Sequence, residues 1–233
     1  MSHYTLGDDA ARFGVVSFND LATLRVNLTH NAAEIDAGID ELTASGRGTS
    51  ISSGFLMTRQ LFADHARVNA TKIALLLSDG QDGGAVAAAA LVKGDHITVF
   101  AWGIGLANLA ELKQLASDPD KAVLGTNIFD LTSYLAPLQA AVCALPPPSL
   151  PPSPPPPPSP SSPPVPPPSP PPPSPPSSPP HDCATPLDFV LVLDESGSMY
   201  QSMEGHDGLK AFAKELVRHY SPPRLDATEA DRA

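Results

Sequence analysis

The chain has 233 residues, a formal charge of −11 from 14 basic against 25 acidic side chains, and two cysteines. So acidic a surface argues against nucleic acid or an anionic membrane as the main partner. Two cysteines exclude a disulfide-dense scaffold or a Cys-rich zinc site. No apolar run approaches the ~18 residues of a membrane span, and Met1 to Asp9 carry neither the basic nor the apolar stretch of a signal peptide.

Residues 12–18 are β-rich, Asn19-Asp20 is a turn pair, and 21–29 alternate apolar and polar side chains, which reads as an antiparallel hairpin. Residues 32–42 carry Ile35, Ile39 and Leu42 at helical spacing. A Gly-flanked loop, Gly46-Arg-Gly-Thr-Ser50, leads into an amphipathic helix over 51–65. The run 72–78 is continuously apolar between Lys72 and Ser78 and ends at Asp79-Gly80, which fits a strand buried on both faces of a parallel sheet. An alanine-rich helix over 85–93 stops at Gly94, a suitable C-cap, and 97–103 is the next buried strand. A helix over 109–117 ends at Asp118-Pro119, 127–129 reads as a short last strand, and 131–143 as a closing helix. Strands and helices alternate, so the expected class is α/β with a doubly wound, mostly parallel sheet.

Residues 146–180 hold 24 of the 29 prolines, no charged side chain, and only Leu150 and Val165 outside proline and serine. Proline fixes φ and removes its own N–H, so helix and sheet are both closed to this run. It reads as polyproline II, which at ~3.1 Å per residue would span on the order of 110 Å. A stiff spacer is the first reading and a ligand for SH3 or WW grooves the second, the latter disfavoured by the absence of Arg and Lys. The Ser-Pro-Pro-Pro blocks also resemble the hydroxyproline-rich glycoproteins of plant and algal walls, such as extensins and pherophorin-like proteins. That compositional resemblance implies prolyl hydroxylation, O-glycosylation and an extracellular address.

After the run, 187–193 form another apolar strand that enters Asp194-Glu-Ser-Gly-Ser198, and Leu209, Phe212, Ala213, Leu216, Val217 and Tyr220 make one helical stripe. One strand and one helix cannot cover each other, so this part should not fold alone. Asp194, Ser196 and Ser198 follow a buried strand, where open α/β sheets hold their ligands. Asp79 follows a second such strand, and Thr49 sits in the Gly-flanked loop. Two carboxylates and three hydroxyls form a hard-oxygen set suited to Mg²⁺ or Mn²⁺; the plainer alternative is that Asp194 and the serines only cap the next helix.

With the strand before it, and with Thr49 and Asp79 in context, this pattern resembles the von Willebrand factor A domain. The family's metal-ion-dependent adhesion site reads D-x-S-x-S, here Asp194, Ser196 and Ser198, with its threonine matched by Thr49 and its later aspartate by Asp79. The resemblance implies a non-enzymatic adhesion module in which the bound ion accepts an acidic side chain from a protein partner. In the family D-x-S-x-S comes first, whereas here it comes last. The expected layout is a domain lacking its first strand and helix over 1–145, the linker over 146–180, the first strand, loop and helix of such a domain over 181–221, and a disordered tail over 222–233. A parent with repeated units is the natural expectation. Residues 187–220 could dock onto their own chain or, by domain swapping, onto another. The family's flanking cysteines often pair, which implies a Cys143–Cys183 disulfide; free thiols are the alternative.

Asn27-Leu-Thr29 and Asn69-Ala-Thr71 are N-glycosylation sequons conditional on secretion. The seven histidines show no metal-ligand spacing, and neither a nucleophile elbow nor a P-loop is present. Two rivals to the adhesion reading stand: a passive hydroxyproline-rich wall protein, and an intracellular subunit of a metal-dependent assembly.

Overall fold

The computed structural model of the chain describes residues 5–45, 48–145, 185–205 and 208–220. The proline-rich run, Cys183 and the tail over 222–233 lie outside the described residues, and with them the polyproline and disordered-tail readings. In chain order the elements are β1 (Ala11–Phe18), β2 (Ala22–Thr29), α1 (Ala32–Asp40), α2 (Ile51–His65), β3 (Thr71–Ser78), α3 (Ala85–Gly94) and β4 (Thr98–Ile104). There follow α4 (Leu109–Leu115), β5 (Ala122–Gly125), α5 (Ile128–Thr132), α6 (Leu135–Cys143), β6 (Leu187–Asp194), α7 (Tyr200–Met203) and α8 (Leu209–Arg218).

One six-stranded sheet runs in the order β2-β1-β6-β3-β4-β5. All neighbours are parallel except the β1–β2 hairpin, so the fold is the expected α/β doubly wound sheet. Strand β6, the last in sequence, is an inner strand: Phe189 pairs with Phe13 on one side and Ile73 on the other. All eight of its residues are buried, which is why its sequence, apart from Asp188 and Asp194, is apolar without alternation.

The strand period of two divides those side chains between the two faces. Val190 and Val192 join α2, α3 and α4 in one core. Leu187, Phe189, Leu191 and Leu193 join α1, α5, α6 and α8 in the other. Burying those four is worth roughly 6–12 kcal/mol at ~1.5–3 each, comparable with the whole net stability of an ordinary domain. Aromatic rings extend the seam: Phe13 stacks on Phe189 at 4.9 Å and meets Tyr220 edge-on at 5.1 Å. Gly54 lets α2 lie directly on the sheet, since a Cβ there would meet Phe18 at 2.8 Å and Val192 at 3.0 Å.

Two elements depart from expectation. The last strand is Ala122–Gly125, and 127–129 instead begin α5. Asn127 caps that helix, its side chain accepting from the Asp130 amide while Asp130 reaches back to the Asn127 amide. This capping box outweighs the short β-like composition of Asn-Ile-Phe. The helix expected over 131–143 is broken into α5 and α6, because Pro137 lacks an amide proton and its ring excludes the helical carbonyl four residues earlier.

Candidate metal centre

Parallel strands deliver their following loops to one edge of the sheet, and four of the five expected ligands follow the carboxyl ends of β6 and β3, which are adjacent. Asp194 has no exposure and Ser196 is 1% exposed, whereas Ser198 faces solvent and Asp79 is half-buried. Asp194 Oδ1 accepts the Ser196 amide at 2.8 Å, and Asp194 Oδ2 accepts the Ser78 hydroxyl at 2.5 Å. The Ser196 and Ser198 hydroxyls lie 2.9 Å apart, and Ser198 donates to Asp79 Oδ1 at 2.7 Å. Asp194, Ser196, Ser198 and Asp79 therefore form one continuous hydrogen-bonded chain from the core to the surface, its first link made by the Ser196 backbone amide.

Thr49 comes in from the loop before α2. Its neighbours are pinned to the turn after β1: Gly48 N–H donates to Asp20 Oδ1 at 2.8 Å and Ser50 N–H to the Asn19 carbonyl at 2.7 Å. A Cβ on Gly80 would sit 2.8 Å from Thr49 Cγ2 and 3.0 Å from its hydroxyl. The absence of a side chain at position 80 thus brings Thr49 against the residue that follows Asp79.

Burial pushes the Asp194 carboxyl above its ordinary value, hydrogen bonds from Ser196 and Ser78 pull it back, and the nearby Asp79 charge pushes it up again. Among the described residues no three His, Cys, Asp or Glu side chains cluster closely enough to hold a metal. Any ion here would depend on hydroxyls as well as on the two carboxylates, and such a hard, weakly charged donor set fits a hexacoordinate divalent cation that keeps room for an outside ligand.

Two supporting residues were not singled out from sequence. Ser78 ends β3 and orients Asp194 through its hydroxyl. Glu195, 2% exposed, accepts two bonds from Arg25 at 3.1 and 2.9 Å and the Thr43 amide at 2.8 Å. Its amide donates to Phe18 and its carbonyl accepts from the Ser45 amide. It thereby ties the Asp-x-Ser-x-Ser turn to β1, β2 and the loop carrying Thr49. A second acid directly after the Asp194 that ends a largely apolar strand, with a lone Arg in an alternating strand, was the available signal.

Of the other residues expected to matter, Asn27 is exposed on β2 with its amide 3.3 Å from His65 Nε2. Asn69 is exposed in the turn before β3. Cys143 ends α6 and does not stand as a free thiol.

The sequence model of the von Willebrand factor type A domain matches residues 1–140. The chain belongs to the von Willebrand factor type A domain family. The Mus musculus collagen alpha-4(VI) chain is 32% identical over 117 residues, 49% of this chain and 5% of its own length. The Homo sapiens collagen alpha-5(VI) chain is 26% identical over 208 residues, 86% of this chain and 7% of its own length. The chain thus spans a small fraction of these curated relatives. Among solved structures, proximal thread matrix protein 1 from the mussel byssus, with a zinc-occupied MIDAS motif, matches with a TM-score of 0.52 and 25% identity. That match covers 59% of this chain and 36% of the mussel protein.

Proposed function

We propose that this von Willebrand factor A domain is a metal-dependent protein-binding module of an extracellular matrix, and not an enzyme. The observation that carries the reading is the hydrogen-bonded convergence of Asp194, Ser196, Ser198 and Asp79, with Thr49 beside it. A divalent ion there supplies an electrophile for a carboxylate. Asp194 holds the site from its buried side, while Asp79, Ser198 and Thr49 form the open side toward which a partner's acidic residue would come. The oxygen donors favour Mg²⁺ or Mn²⁺, although the mussel neighbour was solved with zinc; zinc prefers nitrogen and sulfur ligands.

Support for an extracellular setting comes from the matches to two collagen VI chains and to a byssal matrix protein. Residues 146–180 then serve as a hydroxylated, glycosylated spacer, Cys143 pairs with Cys183, and Asn27 and Asn69 carry N-glycans. Peptide-N-glycosidase treatment of secreted protein is expected to lower its mass by two glycans, and an unchanged mass removes that part. The order of the segments, 1–145, 146–180, 181–221 and 222–233, is read as the end of one domain and the start of another in a repeated array, a layout that the parent gene's sequence on either side would test. The passive wall-protein reading rests on the proline-rich composition alone; it predicts matrix incorporation that survives loss of Asp194.

Isothermal calorimetry tests the central claim. The wild-type chain is expected to bind one Mn²⁺ or Mg²⁺, and Asp194→Ala to abolish the signal. Equal binding by the variant would show that the ion sits elsewhere.

A further inference from the structure

We infer that the buried Glu195–Arg25 pair sets the ion affinity of the candidate metal centre without touching the ion. It does so by holding the loop that carries Thr49 in register with the turn that carries Ser196 and Ser198, which makes Glu195 and Arg25 positioning residues. The inference rests on the metal-dependent reading proposed above and adds to it the residues that tune the site.

The five oxygen ligands arrive in two groups. Asp194, Ser196, Ser198 and Asp79 follow neighbouring strands and are joined by hydrogen bonds of their own. Thr49 comes separately, on the stretch between α1 and α2. Glu195 connects the two. Its carboxylate accepts the Thr43 amide at 2.8 Å, and Arg25 Nη2 donates to both of its oxygens, at 3.1 and 2.9 Å. Its carbonyl accepts the Ser45 amide at 2.8 Å and the Ser45 hydroxyl at 3.2 Å. The Ser45 hydroxyl in turn accepts from Asn19 Nδ2 at 3.2 Å, and the Asn19 carbonyl accepts the Ser50 amide at 2.7 Å. The stretch is therefore fixed on both sides of Thr49, at Thr43 and Ser45 by Glu195 and at Ser50 through Asn19.

Arg25 is itself held, its Nε donating to the Ser17 hydroxyl of β1 at 2.9 Å. The orientation of Glu195 is thus referred to the β1–β2 hairpin, and its carboxylate is spent on Arg25 and Thr43, so it is not a further ligand. Stability alone does not account for the pair. Glu195 is a third carboxylate beside Asp194, only 2% exposed, and a buried ion pair returns little more than its desolvation costs. An apolar pair of similar volume would serve the fold as well, but it would leave the Thr43 amide without its acceptor and the loop free to shift. A metal site needs its donors within ~0.5 Å of their working positions, so a small shift of Thr49 registers as lost affinity.

Arg25 separates three roles by the sign of the effect. If its charge alone acted on the ion, removing it would tighten cation binding. If it served only the fold, the affinity of the folded chain would not change. A positioning role weakens binding. Full-length Arg25→Met is expected to bind Mn²⁺ about tenfold more weakly in titration calorimetry, the scale at which outer partners of metal ligands act, at a temperature where circular dichroism shows it folded. Because the pair acts through Thr49, Thr49→Ala is expected to cost less in the Arg25→Met background than in wild type. Should Arg25→Met not fold, Arg25→Lys decides: it keeps the charge but cannot reach Ser17 and Glu195 together, and severalfold weaker binding is expected. Binding by the folded Arg25 variant as tight as wild type or tighter, or fully additive losses with Thr49→Ala, overturns the inference and leaves the metal reading standing. Wild type that binds no Mn²⁺ defeats the metal reading and the inference with it.

Discussion

Asp194 is a buried carboxylate whose surroundings work against each other. Loss of solvent and the Asp79 charge raise its proton affinity, while Ser78 and Ser196 donate hydrogen bonds that favour the ionised form. The net shift is upward, so above the unfolded pKa the folded metal-free protein bears the cost of a buried charge, and that cost disappears as pH falls through the folded value. Asp194→Asn removes the charge but keeps the volume. In EDTA the variant is expected to melt above wild type at neutral pH, with the gap in Tm closing on mild acidification; a gap that widens on acidification would contradict the assignment. Gly80 offers a second probe, because a methyl group there falls on Thr49. Gly80→Ala is expected to weaken Mn²⁺ binding by about tenfold, or ~1.4 kcal/mol, within the usual cost of overpacking. Titration calorimetry reads it directly.

Strand β6 decides whether there is a fold at all. Its four side chains toward α8 and α6 account for as much burial energy as an ordinary domain retains, and its two flanking acids are matched by arginines at both ends. Truncating one such side chain, Leu191→Ala, is expected to cost ~2–5 kcal/mol. Asp188→Ala leaves Arg12 and Arg67 without their carboxylate and should cost about 3 kcal/mol, measured by urea unfolding. A loss below about 0.5 kcal/mol for Asp188→Ala would mean the clamp is an exposed ion pair of the usual weak kind. Most elements were legible from period and punctuation: the hairpin of β1 and β2, the apolar runs of β3 and β4, and the stripe of α8. The strand at 122–125 was not, since a four-residue edge strand with half-buried side chains has no distinctive pattern. The capping box at Asn127 was visible in principle, but an Asn three residues before an Asp is common in loops too.

Binding of an ion to the folded chain alone must raise its stability: at a free concentration of about 100 times Kd the gain is ~2.7 kcal/mol. Thermal melts with and without Mn²⁺ are expected to show that rise for wild type and none for Asp194→Ala. The formal charge of −11 sets the partner's problem. On the proposed reading a carboxylate ligand would approach a like-charged surface, so its attraction would have to be local to the ion, and added salt should weaken the encounter little. Local chemistry, readable residue by residue, announced the α/β class, the oxygen-rich turn at 194–198 and its companions Thr49 and Asp79, because strand period and ligand type are properties of neighbouring residues. Only the folded molecule put β6 between β1 and β3, drew Thr49 against Gly80 and set Glu195 on Arg25. Those pairings join residues more than a hundred positions apart or depend on the lack of a single Cβ, and nothing in a linear pattern encodes which distant apolar strand will fill a slot in a sheet.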